Sequence, residues 1–193
     1  MSESNTQAEE VFAHEYLWRS STALAKRLDG DAEDTHHLQL PALLTTILAF
    51  EAFVNFAGFV LLPKRWKDEK TSFKGRGING KLEEIVARLP GFEWKKGENP
   101  YQNIQSLLKF RDLSAHAKVD LAEYKTDQSG GPSRFLFESE WEKFLSIENI
   151  HHARENVSEF CQSLTVAMRE VDDHYHLGFD AFKGPLASGE RRV

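Results

Sequence analysis

The alternation of apolar and polar positions along the chain breaks into helical stretches separated by proline and glycine. Ala13, Leu17, Ser21, Leu24 and Leu28 recur at the spacing of one helical face, since a helix returns to the same side about every 3.6 residues. A helix over Gln7–Leu28 is predicted. Asp29-Gly30-Asp31 ends it, with Gly30 suited to a helix stop. The acidic stretch to Asp34 reads as a loop.

The second helix is predicted from His36–Pro41 to Leu62, where Pro63 stops it. It is apolar on every side: residues 40–62, 23 in all, carry one charge, Glu51. Length alone would allow a membrane span. A carboxylate at the middle is costly in hydrocarbon, Pro41 lies near the start, and Asn55 follows one turn after Glu51. Amphipathic helices elsewhere in the chain need a central partner. A buried core helix is therefore expected, and no membrane contact.

Residues 64–81 look different. Lys64, Arg65, Lys67, Lys70, Lys74, Arg76 and Lys81 face only Asp68 and Glu69, and glycines at 75, 77 and 80 mark a loop. A short helix is expected over Lys81–Leu89, closed by Pro90-Gly91, followed by a loop to Pro100. A helix over Tyr101–Ala117 comes next. Val119–Lys125 and Arg134–Phe137 have the composition of two short strands around Ser129-Gly130-Gly131-Pro132. A last helix is predicted from about Glu140, with Val157, Phe160, Cys161, Leu164, Met168 and Val171 as its apolar stripe. The expected architecture is all-α: a bundle of about five helices with an irregular or β-hairpin excursion before the last. Residues 1–178 form one domain and 179–193 a loosely ordered tail.

Composition narrows the function classes. The chain has 193 residues, 40% hydrophobic and 28% charged, which suits one domain with its own core. A net charge of −6 excludes a globally basic nucleic-acid binder but not a local basic patch. The one cysteine, Cys161, allows no intrachain disulfide and suits a reducing compartment. Its place on the last helix's stripe makes it a core residue. The polar, acidic residues 1–10 lack the features of a signal peptide. A cytoplasmic protein is expected.

The helix over 101–117 carries the chemistry. On a helical wheel Ile104, Leu107, Leu108 and Ala115 form one apolar stripe, and Arg111 falls in its middle. A guanidinium there needs a partner, because an unpaired buried charge is very costly. Either it meets a carboxylate inside the fold, with Glu51 the natural candidate, or the stripe faces a cleft or a subunit interface. Gln105, Asp112 and His116 share an adjoining face. Asp112 lies one turn before His116, where a carboxylate can orient an imidazole and raise its pKa. A histidine beside an obligate cation makes an acid/base and phosphate-binding pair. The plainer alternative is a structural ion pair fixing two helices.

Arg111-Asp112-Leu113-Ser114-Ala115-His116, placed in a late helix and preceded by the helix bearing Phe50-Glu51-Ala52-Phe53-Val54-Asn55, resembles the HEPN superfamily of small all-α domains. Many of its members are RNases of toxin–antitoxin, antiphage and RNA-processing systems. The resemblance covers roughly residues 8 to 172. It implies metal-independent cleavage of RNA, without a cofactor, at a cleft between two copies of the chain. His116 would act as general acid or base, Arg111 would stabilise charge on the phosphate, and Asp112 would orient one of them. Glu51 and Asn55 would support the site. An antitoxin or other partner protein is implied as well. Some members carry a modifiable Tyr two residues after the His; here Lys118 stands there, so that control is not expected, and Lys118 is expected to add a phosphate contact. The alternative is a non-catalytic module of the same kind that binds RNA, a nucleotide or a protein.

Other signals carry less. Gly75-Arg76-Gly77-Ile78-Asn79-Gly80-Lys81 matches the start of a phosphate-binding loop, but Leu82 replaces the required Ser or Thr and no apolar strand precedes it. Lys74, Arg76 and Lys81 are expected to touch RNA backbone instead. His174 and His176 with Asp172, Asp173 and Asp180 match no established zinc spacing, so no metal is expected. Trp66, Trp94 and Trp141 are expected to pack against the bundle rather than stack on bases.

Overall fold

Phe12 lies against Phe56, His14 against Phe53, and Ser21 against Thr46. These pairs run in opposite directions along the chain, so the first two helices form an antiparallel hairpin. They belong to a computed structural model that describes residues 10–30, 36–115, 144–171, 180–184 and 187–188. Among these residues the fold is all-α, with α1 (Ala13–Leu28), α2 (His36–Leu61), α3 (Pro63–Lys67), α4 (Glu69–Ser72), α5 (Gly77–Val86), α6 (Tyr101–Ala115) and α7 (Ile147–Val171). The strands β1 (Glu10–Val11) and β2 (Ala187–Ser188) pair antiparallel, with Glu10 opposite Ser188.

α2 is the central element. It packs against α1, α3, α5, α6 and α7, which is why it is apolar nearly all round. Leu43, Ile47, Phe50, Phe53 and Val54 are buried along it. Its length and composition would suffice to cross a membrane, and half of its most apolar window is buried against the rest of the protein. At Ser21 of α1 the contact is polar. Ser21 lies on α1's apolar stripe, fully buried, with its hydroxyl 2.6 Å from that of Thr46. Each hydroxyl thereby gains the partner that a buried polar group needs.

Residues 64–81, expected as a basic loop, are largely helical. Pro63 ends α2 and is also the first residue of α3, where its missing N–H costs nothing. Gly75 and Gly77 have φ of +75° and +57° and turn the chain into α5, which starts at Gly77 rather than Lys81. The glycines are hinges between short helices, not signs of an extended loop. Trp66 packs inward against Phe73, with ring centroids 4.7 Å apart, and lies across Gly58 of α2. A Cβ at Gly58 would sit 2.1 Å from the indole.

α1 begins at Ala13 rather than Gln7. α7 begins at Ile147 rather than near Glu140, with the Ser146 hydroxyl accepting the Asn149 N–H at 3.1 Å. Its stripe is buried from Val157 to Met168, and Val171 is exposed. Cys161 is fully buried, as its place on that stripe predicts. Asp180–Gly184, read from sequence as part of a loose tail, is docked on the body. Phe182 stacks on Trp18 with centroids 4.2 Å apart, and Ala181 and Phe182 are buried. The expected hairpin, His116, Lys118, Trp141 and the 172–176 cluster lie outside the described residues.

Candidate functional site

α6 enters the core through Tyr101, Ile104, Leu107, Leu108 and Phe110, all buried. Its last turn leaves the core: Asp112, Leu113 and Ala115 are exposed. Ala115 therefore does not continue the apolar stripe, and Arg111 is where the stripe meets solvent. The Arg111 side chain is 31% exposed. Its guanidinium forms a close ion pair with Glu51 of α2 and a second with Asp112 at 3.0 Å. Glu51 is thus the partner that an otherwise apolar helix predicted. Asp112 serves Arg111. Burial pushes the Glu51 carboxyl above its usual range, and the charge of Arg111 opposes that rise.

One turn along α2, Asn55 accepts a hydrogen bond from the Lys81 ammonium at 2.7 Å. Lys81 also pairs with Glu69 of α4, and its nitrogen lies 5.8 Å from the centre of the Trp66 ring. Its side chain is only 13% exposed. Lys81 is therefore a strut between α5, α4 and α2, not the outward phosphate contact expected from sequence. Arg76 is exposed but engaged, reaching Glu84 at 2.8 Å and Glu83 at 3.2 Å. Those carboxylates hold its pKa up and its charge local. Arg65 pairs with Glu84 as well, and Lys96 with Glu83 at 3.1 Å. Lys74 is exposed. The net positive run seen in sequence is thus partly neutralised by acidic residues of α4 and α5.

A third polar cluster borders this face and was not foreseen. Asn79 and Gln105 bond head to tail, Asn79 Nδ2 to Gln105 Oε1 at 3.0 Å and Gln105 Nε2 to Asn79 Oδ1 at 2.9 Å. The Tyr101 hydroxyl donates to the same Asn79 oxygen at 3.1 Å. Burial pushes Tyr101 up to about 12, so the hydroxyl stays protonated. The wheel placed Gln105 on one face with Asp112, but periodicity alone gave no reason to bring Asn79 to it.

A separate group of buried polar side chains lies at the start of α1. His14 is 5% exposed, ringed by Phe12, Phe53, Phe56 and Phe182, and burial pulls its pKa down to about 4. Glu15 accepts the Gly184 N–H at 2.8 Å, and burial pushes its carboxyl up. The spacing of His14 and Ser21 on one face was the available signal. These groups are sealed, so they fasten the fold rather than meet a substrate. Nearby, a cleft of about 640 Å³ lies between α1, α7 and residues 180–183, lined by Trp18, Arg154, Glu159, Gln162 and Lys183. None of the described residues among the sequence-predicted site residues lines it.

Among the described residues no cluster of three or more His, Cys, Asp or Glu side chains could hold a metal. No protein-family profile matches the chain, and no solved structure matches it. The chaperone protein ClpB of Vibrio cholerae is 26% identical over 192 aligned residues, an overlap that takes in 86% of this chain and 22% of ClpB. The chain therefore spans about a fifth of that relative.

Proposed function

We propose that this chain is a HEPN-like helical domain acting as a metal-independent endoribonuclease, with Arg111 and His116 at a cleft between two copies. One observation carries the reading. Arg111 is held by Glu51 from a neighbouring helix and by Asp112 from its own, yet a third of its side chain stays open to solvent. It sits at the helix end that leads directly to His116. A buried strut does not need that opening; a phosphate-binding cation does.

In this reading the 2′-oxygen of RNA attacks the adjacent phosphorus and the bond to the 5′-oxygen breaks. His116 acts on a proton in transit, taking it from the attacking hydroxyl or giving it to the leaving oxygen. Arg111 stabilises the charge gathered on the phosphate in the transition state. Glu51 fixes the guanidinium's direction, and Asn55 with Lys81 fixes the helix turn beside it. Toxin or phage-defence roles, an antitoxin partner and the hairpin before α7 belong to the same proposal.

A second reading has its own support. Two carboxylates neutralise Arg111, as in a structural ion pair, and the partial likeness to a chaperone protein suits a non-catalytic module that binds protein. One assay separates the two. Purified chain is incubated with single-stranded RNA in EDTA, beside Arg111→Ala and His116→Ala. The expected result is cleavage by the native chain and a loss on the order of 100-fold or more in each variant. Cleavage that survives both substitutions, or that needs a divalent ion, overturns the mechanism. Absence of cleavage with tight binding of a protein partner supports the module.

A further inference from the structure

The head-to-tail pair of Asn79 and Gln105 has two ends, and they are not alike. In such a pair each end presents the second N–H of one amide beside the second lone pair of the other. At one end the Asn79 oxygen is already taken by the Tyr101 hydroxyl. At the other, the Asn79 Nδ2 donor and the Gln105 Oε1 acceptor stand side by side, 3.0 Å apart. Asn79 is exposed and Gln105 half-exposed. The free end is a donor–acceptor couple that needs no rearrangement to be used.

A nucleobase edge offers the complementary couple. The edge of adenine with the N7 acceptor and the N6 amino donor is the usual partner of Asn and Gln amides. Unpaired bases of single-stranded RNA expose such edges for hydrogen bonding. Gln105 lies seven residues before Asp112 on the same face of α6, which is about 10 Å along the axis. That is the reach of one or two nucleotides from a phosphate held at Arg111.

We infer that Asn79 and Gln105, held in register by Tyr101, form a base-reading edge that favours adenine next to the phosphate bound at Arg111. This rests on the RNA-cleaving reading above and adds a sequence preference to it.

The test uses the full chain carrying His116→Ala, so that RNA is bound without being cut. Fluorescein-labelled hexaadenylate and hexauridylate are titrated by anisotropy, with Gln105→Met and Asn79→Leu as comparison variants in the same background. Hexaadenylate is expected to bind about tenfold more tightly than hexauridylate, and either substitution is expected to bring the two within about twofold. Equal affinity at the outset, failure to bind either RNA, or a preference that survives both substitutions overturns the inference. Melting curves identify a variant that fails to fold, and the other then stands for the pair. Sequencing of cut ends from a random RNA pool, with His116 intact, separates the two levels. Cuts without adenine enrichment beside the cleaved bond overturn the base-reading edge and leave the ribonuclease. No cuts, with adenine still preferred in binding, overturn the ribonuclease and keep the edge.

Discussion

Among the described residues, two regions that bury ionisable groups treat them in opposite ways. At the α2–α6 face, Glu51 and Arg111 are paired as ions and the cation keeps an opening to solvent. At the start of α1, His14 is enclosed by aromatic rings and held neutral, while Glu15 is bound by the backbone of Gly184. The first arrangement holds a charge in a fixed direction where a ligand can meet it. The second removes charge from the imidazole so that an aromatic cluster can close around it. Perturbed titration is common to both; what separates them is access to solvent.

The largest effect that can break this comparison is acid. His14 has its pKa lowered from 6.5 to about 4 in the folded chain, so the unfolded chain binds the proton more readily between those values. Stability is then complete above about pH 6.5 and falls as the pH drops toward 4, by about 3 kcal/mol in all. Glu15, with its folded pKa raised by burial, contributes in the opposite sense: it favours the fold at low pH and loses that contribution as pH rises through its folded value. Urea unfolding at a series of pH values should therefore show a slope between pH 4 and 6.5 that His14→Phe abolishes or reverses. A slope unchanged by that substitution would mean that the aromatic cage does not keep His14 neutral.

A smaller effect is expected at the other region. Glu51→Ala leaves Arg111 with Asp112 alone and should cost about 2 kcal/mol, below the range for fully sealed pairs because the guanidinium is partly hydrated. Pairing Glu51→Leu with Arg111→Met should restore most of that loss, since neither charge is then left stranded. A double-mutant cycle in urea measures the coupling. If the double substitution is as unstable as Glu51→Ala, the pair is a stabilising strut and the open-cation description fails. The smallest effect is expected at Arg76, which is exposed and tied to exposed carboxylates. Arg76→Ala should leave the thermal midpoint unmoved.

These regions also differ in how much of them the sequence reveals. Glu51 was the one carboxylate in an apolar helix, and Arg111 the one cation in an apolar stripe, so their meeting was one of the two outcomes that the cost of leaving either alone allowed. The end of the stripe did not follow. Ala115 has the right period but lies beyond the point where α6 leaves the core, and period says nothing about where a neighbour stops. Glycine content at 75, 77 and 80 suggested a loop, whereas Gly80 lies within α5, where an added Cβ would strike the Arg76 side chain. The contacts of Lys81 with Asn55 and Glu69 cross three elements, and only their folded arrangement brings them together. His14 was legible in principle by its spacing, but a lone histidine on an apolar face gives no sign of the rings that surround it. The docking of Phe182 on Trp18 joins positions far apart in the chain, beyond the reach of any local pattern.

Gly58 shows what such long-range dependence means for genetics. It carries no side chain, yet Trp66 lies against it, Lys81 lies near Trp66, and Asn55 hangs from Lys81 one turn from Glu51. Under the proposed function, a search for inactivating substitutions would therefore recover Gly58 together with Arg111 and Glu51. Recovery by itself would not distinguish a residue that handles substrate from one whose emptiness lets the others stand where they do.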